Sequence, residues 1–328
     1  MKMHHSQLGC RGSILIAHLL VALCLPSASC KSNPSGTGSE GEAADAVVMD
    51  AGSDAPVGQA VEHPLPADVV EGFVNPQHLP VYHGPTGSIE GTVTLKGDPS
   101  PDTKNRDYSR CPDAELTYKK LFREGAPRED GSRPVADALV AVTGYSGAYI
   151  PESKPARKVT IEDCALTERA IDMTIGQRLE IRNVTKGKIF APAFLQQPSP
   201  LALVAAPMGD PVNLYPQQPR VYTLYDKFGV GSSYLTGDVY VLHEPLHAVT
   251  DLAGHYRIDG VPVGEVKVNA LLGVISKEQT KTVKIQPNVV ATVDLELNYT
   301  TPPPPPVLAP STPPPRPRPD GGRPLIIK

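Results

Sequence analysis

The sequence contains no tryptophan, and aromatic residues make up only 5% of its 328 residues. Aromatic side chains contribute much of the buried area of protein cores and stack on bound sugars. Their scarcity indicates that part of the chain is unpacked, and it argues against strong glycan binding. The net charge is −4, without an excess of basic residues. Nucleic acid binding requires a basic surface, so we expect no nucleic acid partner.

The sequence also lacks an apolar run long enough to cross a membrane as a helix. The run from Ile14 to Leu25 has about a dozen residues, whereas a membrane-spanning helix needs about 20. Lys2 and Arg11 precede this run, and the small residues of Pro26-Ser27-Ala28-Ser29 follow it. This order is typical of an export signal, so residues 1–29 are predicted to be a signal peptide.

Cys30 directly follows these small residues. The arrangement resembles a bacterial lipoprotein signal, in which this cysteine is lipidated and becomes the mature N-terminus, although Ser27 stands where leucine is usual. The resemblance implies a protein that is lipid-anchored in the bacterial cell envelope, at the outer membrane or the periplasmic face. Its membrane contact would then come from the N-terminal lipid. Plain secretion after cleavage near Cys30 is the alternative.

Cysteine is scarce as well, with 5 in the chain. Cys10 and Cys24 lie in the signal and Cys30 would carry the lipid, so Cys111 and Cys164 remain. An even pair in an oxidising compartment predicts a disulfide. Its loop of about fifty residues would contribute about 4 kcal/mol in the chain-entropy model. Two separate buried thiols are the alternative.

Both ends of the mature chain have few large apolar side chains. Residues 30–84 are acidic and rich in Gly, Ser, Ala and Pro, a composition that predicts a disordered tether between a membrane and a folded domain. Residues 300–328 form a proline-rich tail, which predicts an extended polyproline II spacer. A ligand for a proline-binding partner and contact with an anionic cell-wall polymer are the alternatives for this tail.

Between these ends, apolar residues recur with a period of two, as expected for half-buried strands. Only AELTYKKLF, from Ala114 to Phe122, suggests a helix. Turn residues such as Gln286-Pro287-Asn288 separate the runs. The sequence therefore predicts an all-β fold with one or two β-sandwiches of Greek-key-like topology. The alternating runs are GSIEGTVTL from Gly87, AIDMTIGQRLEIRN from Ala170, DVYVL from Asp238, EVKVNALL from Glu265 and ATVDLEL from Ala291.

The run AVTDLAGHYRIDGVPVGEVKVNA, Ala248 to Ala270, carries the motif T-D-x-x-G-x-[FY]-x-[IL] followed by [LV]-P-x-G-x-[YV]. It resembles the carboxypeptidase regulatory-like domain, which is grouped with carbohydrate-binding-like folds, and GSIEGTVTLKGD and DALVAV resemble the first strands of that domain. The resemblance implies a β-sandwich built from residues 86–145 and 236–299. It also implies a binding or structural role with a glycan, a cell-wall component or a protein as partner, although fold alone does not establish function.

The intervening residues 146–235 resemble a cupredoxin-like domain. Cys111, the segment VTIEDC ending in Cys164, and IGQRLEIRN, Ile175 to Asn183, carry this resemblance. Family members hold copper with a His shortly after that Asn and with a later C-x-x-H-x-x-M run. Here VTKGKIFAP follows Asn183, and Tyr225 to Leu235 reads YDKFGVGSSYL. A blue-copper centre needs His nitrogen and Cys thiolate, so we expect the fold without metal or other cofactor; copper electron transfer is an alternative.

The segment His243-Glu244-Pro245-Leu246-His247 matches the H-E-x-x-H motif of zinc proteases. That motif works on a helix, where both histidines reach one zinc ion. Pro245 would cost about 3 kcal/mol in a helix interior, and the flanking VYVL and AVTD favour a strand and a turn. We therefore expect loop histidines and no catalytic residues. A zinc metalloprotease using His243, Glu244 and His247 is the alternative.

Overall fold

The computed structural model describes residues 63–303, except residues 104–106, 110, 146, 198, 200–201 and 230–233. The predicted signal peptide, Cys30, the tether up to residue 62 and the tail from residue 304 lie outside the described residues. All described residues belong to one compact unit, Ala55–Lys328.

Strands dominate the described residues, which confirms the predicted all-β class. The helices are α1 (Ala67–Val74), α2 (Ala114–Tyr118) and a 3₁₀ turn (Gly273–Ile275), and none in the described part is long and apolar enough to cross a bilayer. The strands are β1 (Thr86–Gly97), β2 (Arg133–Pro134), β3 (Leu139–Thr143), β4 (Ala156–Glu162), β5 (Ala165–Leu166), β6 (Ala170–Thr174), β7 (Arg178–Asn183), β8 (Pro192–Phe194), β9 (Val212–Leu214), β10 (Val221–Asp226), β11 (Thr236–Leu242), β12 (His247–Val249), β13 (His255–Pro262), β14 (Gly264–Leu272), β15 (Lys277–Ile285), β16 (Val290–Thr292) and β17 (Leu295–Tyr299).

The first β-sandwich, called sandwich A, contains strands from both ends of the described chain. In one sheet β1 is central, antiparallel to β13 and β2 and parallel to β16 and β17. The other sheet has the order β12-β3-β14-β15. Ile89, Val93 and Leu95 of β1 are buried in the same core as Val266 and Val268 of β14. The period-two pattern of these two strands is therefore confirmed.

Gly91 allows the close approach of three segments in sandwich A. It lies in β1, between the residues that pair with β16 and those that pair with β17. The carbonyl oxygen of Val293 lies 2.0 Å from the position that a Cβ atom on residue 91 would occupy. Alanine therefore requires the backbone to move, and we expect Gly91→Ala to lower the free energy of unfolding by about 2 kcal/mol.

Urea denaturation of the two proteins, followed by circular dichroism, measures this difference. Gly72→Ala on α1 is the matched control, because no atom outside its chain neighbours and the backbone of its own helix lies within 4 Å of the added Cβ. Since alanine is the better helix former, this control should be neutral or slightly stabilising. Equal losses in the two variants would contradict the steric explanation.

The second β-sandwich, called sandwich B, consists of the sheets β5-β4-β7-β9 and β6-β11-β10-β8. Strand β11 pairs with β6 and β10 and belongs here. The predicted insert, residues 146–235, therefore ends too early. Residues 236–242 were assigned to the domain that forms sandwich A, but they belong to sandwich B. The alternation in DVYVL predicts a strand, but it contains no information about which strands are its neighbours.

The segment between β1 and β2 also joins sandwich B. Ala114 and Tyr118 of α2 are buried in the core of sandwich B, so the suggested helix exists but is shorter than the segment up to Phe122. Cys111 precedes α2 and forms a disulfide with Cys164, with the two Cα atoms 6.1 Å apart. The predicted disulfide is thus present, and it fixes the β1–β2 connection to sandwich B.

Residues 63–85, called the N-terminal strap, are folded, so the predicted tether does not extend to residue 84. Leu65, Phe73 and Val74 pack against the core of sandwich B. The backbone N–H of Tyr82 donates to the carbonyl oxygen of Tyr149 at 2.7 Å. The apolar residues of ADVVEGFV recur at helical spacing and account for α1; the polar composition of the wider segment concealed this signal.

A small apolar cluster joins the two sandwiches. Leu139 of β3, Ala170 of β6 and Tyr240 of β11 form it, with Val249 and Leu271 packed around them. All residues of β6 are buried, because one face of this strand covers the core of sandwich B and the other faces sandwich A. The prediction of a half-buried strand is therefore wrong for β6, and polar side chains on its second face are enclosed.

Candidate functional site

The segment with the H-E-x-x-H sequence is not helical. Strand β11 ends at Leu242 and β12 begins at His247, so residues 243–246 form the turn between two strands that belong to different sandwiches. The prediction of strand and turn around Pro245 is confirmed. The two histidines therefore do not lie on a common helical face.

His243 contacts the N-terminal strap. Its Nδ1 lies 3.0 Å from the carbonyl oxygen of Phe73 in the last turn of α1. Carbonyl groups in the last turn of a helix have no partner within the helix, so His243 supplies a donor for one of them. This side chain therefore holds the strap against the turn between β11 and β12.

Glu244 has a different neighbour. Its carboxylate is hydrogen-bonded to the hydroxyl of Tyr145, and burial raises its pKa, while this hydrogen bond and the charge of His243 act in the opposite direction. Burial and the charge of Glu244 raise the pKa of Tyr145. Glu244 is thus held by Tyr145, whereas His243 binds the carbonyl oxygen of Phe73.

The side chain of His247 is only 7% exposed and the residue begins β12, so the expectation of an ordinary loop histidine is wrong for this residue. Its Nδ1 lies 2.8 Å from Oδ2 of Asp172, and its Nε2 lies 3.1 Å from Oγ1 of Thr174. His247 begins β12 in sandwich A, whereas Asp172 and Thr174 lie on β6 in sandwich B. The imidazole therefore connects the two sandwiches through both of its nitrogen atoms.

Asp172 is the central acidic group of this connection. Besides His247, it binds Arg157, whose Nε donates to Oδ1 at 3.2 Å, and Arg157 also forms an ion pair with Glu168. Burial raises the pKa of Asp172, but the hydrogen bond and charge of His247 and the charge of Arg157 outweigh burial and lower it to about 2. Asp172 is therefore ionised at neutral pH.

A cleft of about 1010 Å³ lies between the sandwiches, beside His247 and Asp172. The lining residues that the structure describes include no Phe, Tyr or Trp and are rich in charged side chains. Such a surface can form ion pairs and hydrogen bonds with a ligand but offers none of the large aromatic rings on which sugars stack. The charged lining residues are Glu152, Lys154, Arg157, Lys158, Asp172, Arg178, Glu180, Arg257 and Asp259.

The basic side chains of this cleft differ in how tightly they are held. Nη2 of Arg178 lies 2.5 Å from Oε1 of Glu180. Nζ of Lys158 is 3.8 Å from the same carboxylate and its side chain is 81% exposed. Lys154 is also exposed. Exposed ion pairs contribute little energy, so Lys154 and Lys158 can turn toward an anionic ligand at low cost.

The described residues around Asn183 do not supply the His and Cys donors of a blue-copper site. The side-chain amide of Asn183 donates to the carbonyl oxygens of Lys188 and Ala205, at 2.8 and 2.9 Å, and so holds two loops together. Both described cysteines form the disulfide, so neither supplies a thiolate. The described residues contain no group of three His, Cys, Asp or Glu side chains that could hold a metal ion. This donor set does not fit a blue-copper centre.

Asp172, Thr174 and Arg157 were not predicted as site residues. In AIDMTIG the polar residues alternate with apolar ones, a pattern that normally places the polar side chains in water. Their burial depends on the contact with sandwich A, and no local signal in the sequence predicts that contact.

Comparison with known proteins gives a distant match. No family model matches the chain, and no curated protein matches it. A solved structure of the Cu-containing nitrite reductase from Thermus scotoductus SA-01 matches over 30% of this chain, with 15% sequence identity and a TM-score of 0.23. The match spans 24% of that protein's chain, about a quarter of its length.

Proposed function

We propose that the chain is a cell-envelope lipoprotein whose folded part is a non-catalytic binding protein. Sandwich A is a carboxypeptidase regulatory-like domain, and sandwich B is a cupredoxin-like insert without copper ligands. The export signal and Cys30 support lipid anchoring, with secretion as the alternative. The motif between Ala248 and Ala270 supports the assignment of sandwich A.

The cleft between the sandwiches is the observation that carries the binding role. Ligand sites occur preferentially where domains meet, and this cleft is large enough, at about 1010 Å³, for a small glycan or one segment of a polymer. Its lining has five basic and four acidic side chains, and the three arginines are held in ion pairs with carboxylates. The exposed Lys154 and Lys158 at its rim favour a ligand with carboxylate or phosphate groups, such as an anionic cell-wall polymer.

The arrangement around residues 243–247 supports a non-catalytic role. Each of the three polar side chains in the motif binds a different partner: Phe73, Tyr145 and the Asp172–Thr174 pair. A zinc protease needs both histidines on one ion and the carboxylate on its bound water. Stoichiometric zinc together with protease activity that Glu244→Gln abolishes would contradict the proposal.

Charge reversal at the rim of the cleft tests the proposed ligand class. We expect Lys154→Glu with Lys158→Glu to weaken binding of the protein to a purified anionic cell-wall polymer by about tenfold or more, about 1.4 kcal/mol. The same binding should weaken as salt is raised, because exposed charges are screened. Isothermal titration calorimetry at two salt concentrations measures both effects.

Lys277→Glu with Lys284→Glu is the matched control, because these exposed lysines lie on β15, do not line the cleft and change the net charge by the same amount. The control should bind like the unchanged protein. If both charge-reversal variants lose affinity equally, binding depends on net charge and not on the cleft. If neither variant changes the affinity, the cleft does not bind the polymer.

A further inference from the structure

Exposed apolar side chains gather at one end of sandwich B. Ile189 is 57% exposed, Val204 49%, Met208 60% and Phe228 54%. Single exposed apolar residues are normal on a protein surface, whereas a contiguous group of them marks an interaction site. The three loops that carry these residues are joined to one another by backbone hydrogen bonds, which places the side chains in one region.

The first link joins the loops of Ile189 and Val204. Phe190 and Ala205 exchange two backbone hydrogen bonds, at 2.8 and 3.3 Å, and both side chains are buried. Successive residues of extended, paired segments point to opposite faces. Ile189 and Val204, which precede Phe190 and Ala205, therefore point outward on the same side of this pair.

Two further hydrogen bonds bring in the other loops. The N–H of Lys227 donates to the carbonyl oxygen of Ala191 at 2.9 Å, and the N–H of Met208 donates to that of Asn183 at 2.8 Å. Phe228 and Met208 are thus held beside the segment that carries Ile189. The four side chains Ile189, Val204, Met208 and Phe228 are called the apolar tip.

Lysines flank the apolar tip. Lys186 and Lys188 are exposed in the loop that leads to Ile189, and Lys227 precedes Phe228. The acidic residues of these loops are Asp210, which is exposed, and Asp226, which is buried and accepts hydrogen bonds from the N–H groups of Ala191 and Phe228. Lys186 and Lys188 are thus exposed beside the tip, whereas the ammonium group of Lys227 donates to the carbonyl oxygen of Ser199. Glu162 and Asp163 are exposed at the end of β4, next to the end of β7, so the positive charge at the tip comes from the loop that carries Ile189.

We propose that the apolar tip is a membrane-contact surface for a bilayer that contains anionic lipids. Side chains such as Phe228 and Ile189 enter the boundary between headgroups and acyl chains, and the lysines bind the anionic headgroups. Apolar side chains at loop ends, flanked by cations, match the chemistry of a bilayer surface. This surface lies on sandwich B, is separate from the cleft and does not depend on a lipid at Cys30.

Vesicle flotation tests the proposal with residues 55–328, which contain the compact unit and lack the signal and Cys30. We expect this protein to float with vesicles of phosphatidylglycerol and phosphatidylcholine, but only weakly with phosphatidylcholine alone. Ile189→Ser with Phe228→Ser should lower the partition coefficient about tenfold. Lys186→Glu with Lys188→Glu should lower it on the anionic vesicles to the level of neutral vesicles, as 0.5 M salt should do.

Leu252→Ser is the control, because Leu252 is 64% exposed on a turn of sandwich A; it should float like the unchanged protein. Thermal unfolding checks that all variants are folded. Absence of flotation with anionic vesicles, or flotation that the tip variants leave unchanged, would overturn the proposal. A concentration-dependent dimer that Ile189→Ser with Phe228→Ser abolishes would also overturn it, since the tip would then be an interface between copies of the chain.

Discussion

Replacing both cysteines of the disulfide, as Cys111→Ala with Cys164→Ala, is expected to lower the free energy of unfolding by about 4 kcal/mol. The two cysteines are 53 residues apart in the chain, and the disulfide limits the freedom of this loop in the unfolded state. In the folded state it holds the β1–β2 connection on sandwich B, where Ala114 and Tyr118 are buried. Urea denaturation of the oxidised protein and the variant measures the loss.

Reduction of the unchanged protein gives an independent control. Dithiothreitol should lower its midpoint of unfolding to about that of the double variant and should leave the variant itself unchanged, because the variant has no disulfide to reduce. Alanine is chosen because both positions are nearly buried, 2% and 8% exposed, and a hydroxyl group there would need a partner. If the double variant is as stable as the oxidised protein, the disulfide does not contribute to the free energy of unfolding.

The strands could be predicted from the sequence because the period-two pattern is a local property of each segment. Ile89, Val93 and Leu95 alternate along β1, and the structure buries all three. The partners of a strand are not local: β11 pairs with β6, and the paired residues Asp238 and Ala170 are 68 positions apart in the chain. The assignment of residues 236–242 to the wrong sandwich follows from this difference.

The N-terminal strap shows a different reason for an incorrect prediction. The composition of residues 30–84 as a whole indicates disorder, but ADVVEGFV contains apolar residues at helical spacing, and its Phe73 and Val74 pack on sandwich B. A short window would have found this helix, whereas a long one averages it with its polar neighbours. For residues 30–62, which lie outside the described part, the tether stays a prediction.

For the candidate site, the sequence predicts the backbone conformation around Pro245 but not the side-chain contacts. Pro245 disfavours a helix through local sterics, and the turn between β11 and β12 agrees. The contact between His247 and Asp172 joins residues 75 positions apart. Neither residue carries a sequence signal for this contact, because it exists only when two complete sandwiches pack together.

Asp172→Asn is expected to lower the free energy of unfolding by about 3 kcal/mol at neutral pH. Asparagine has no negative charge to bind Arg157 and His247 at this buried position. The cost of removing these two side chains from water is then no longer offset by an ionic contact with residue 172. Asp259→Asn is the matched control, since its ion pair with Arg257 also lies at the cleft but is exposed, and exposed pairs contribute little. Urea denaturation at pH 7 measures both; equal effects would contradict the role of burial.

The pH dependence separates the charge of Asp172 from its packing. The folded protein lowers the pKa of Asp172 from 3.8 to about 2, so Asp172 stabilises the fold through its charge by about 2 kcal/mol. This stabilisation is present above the pKa of the unfolded state, near 4, and is lost as the pH falls through about 2. The difference in stability between the unchanged protein and Asp172→Asn should therefore shrink by about 2 kcal/mol between pH 6 and pH 2. Urea denaturation across this range measures it, and a difference that stays constant with pH would show that Asp172 stabilises the junction of the sandwiches through packing alone.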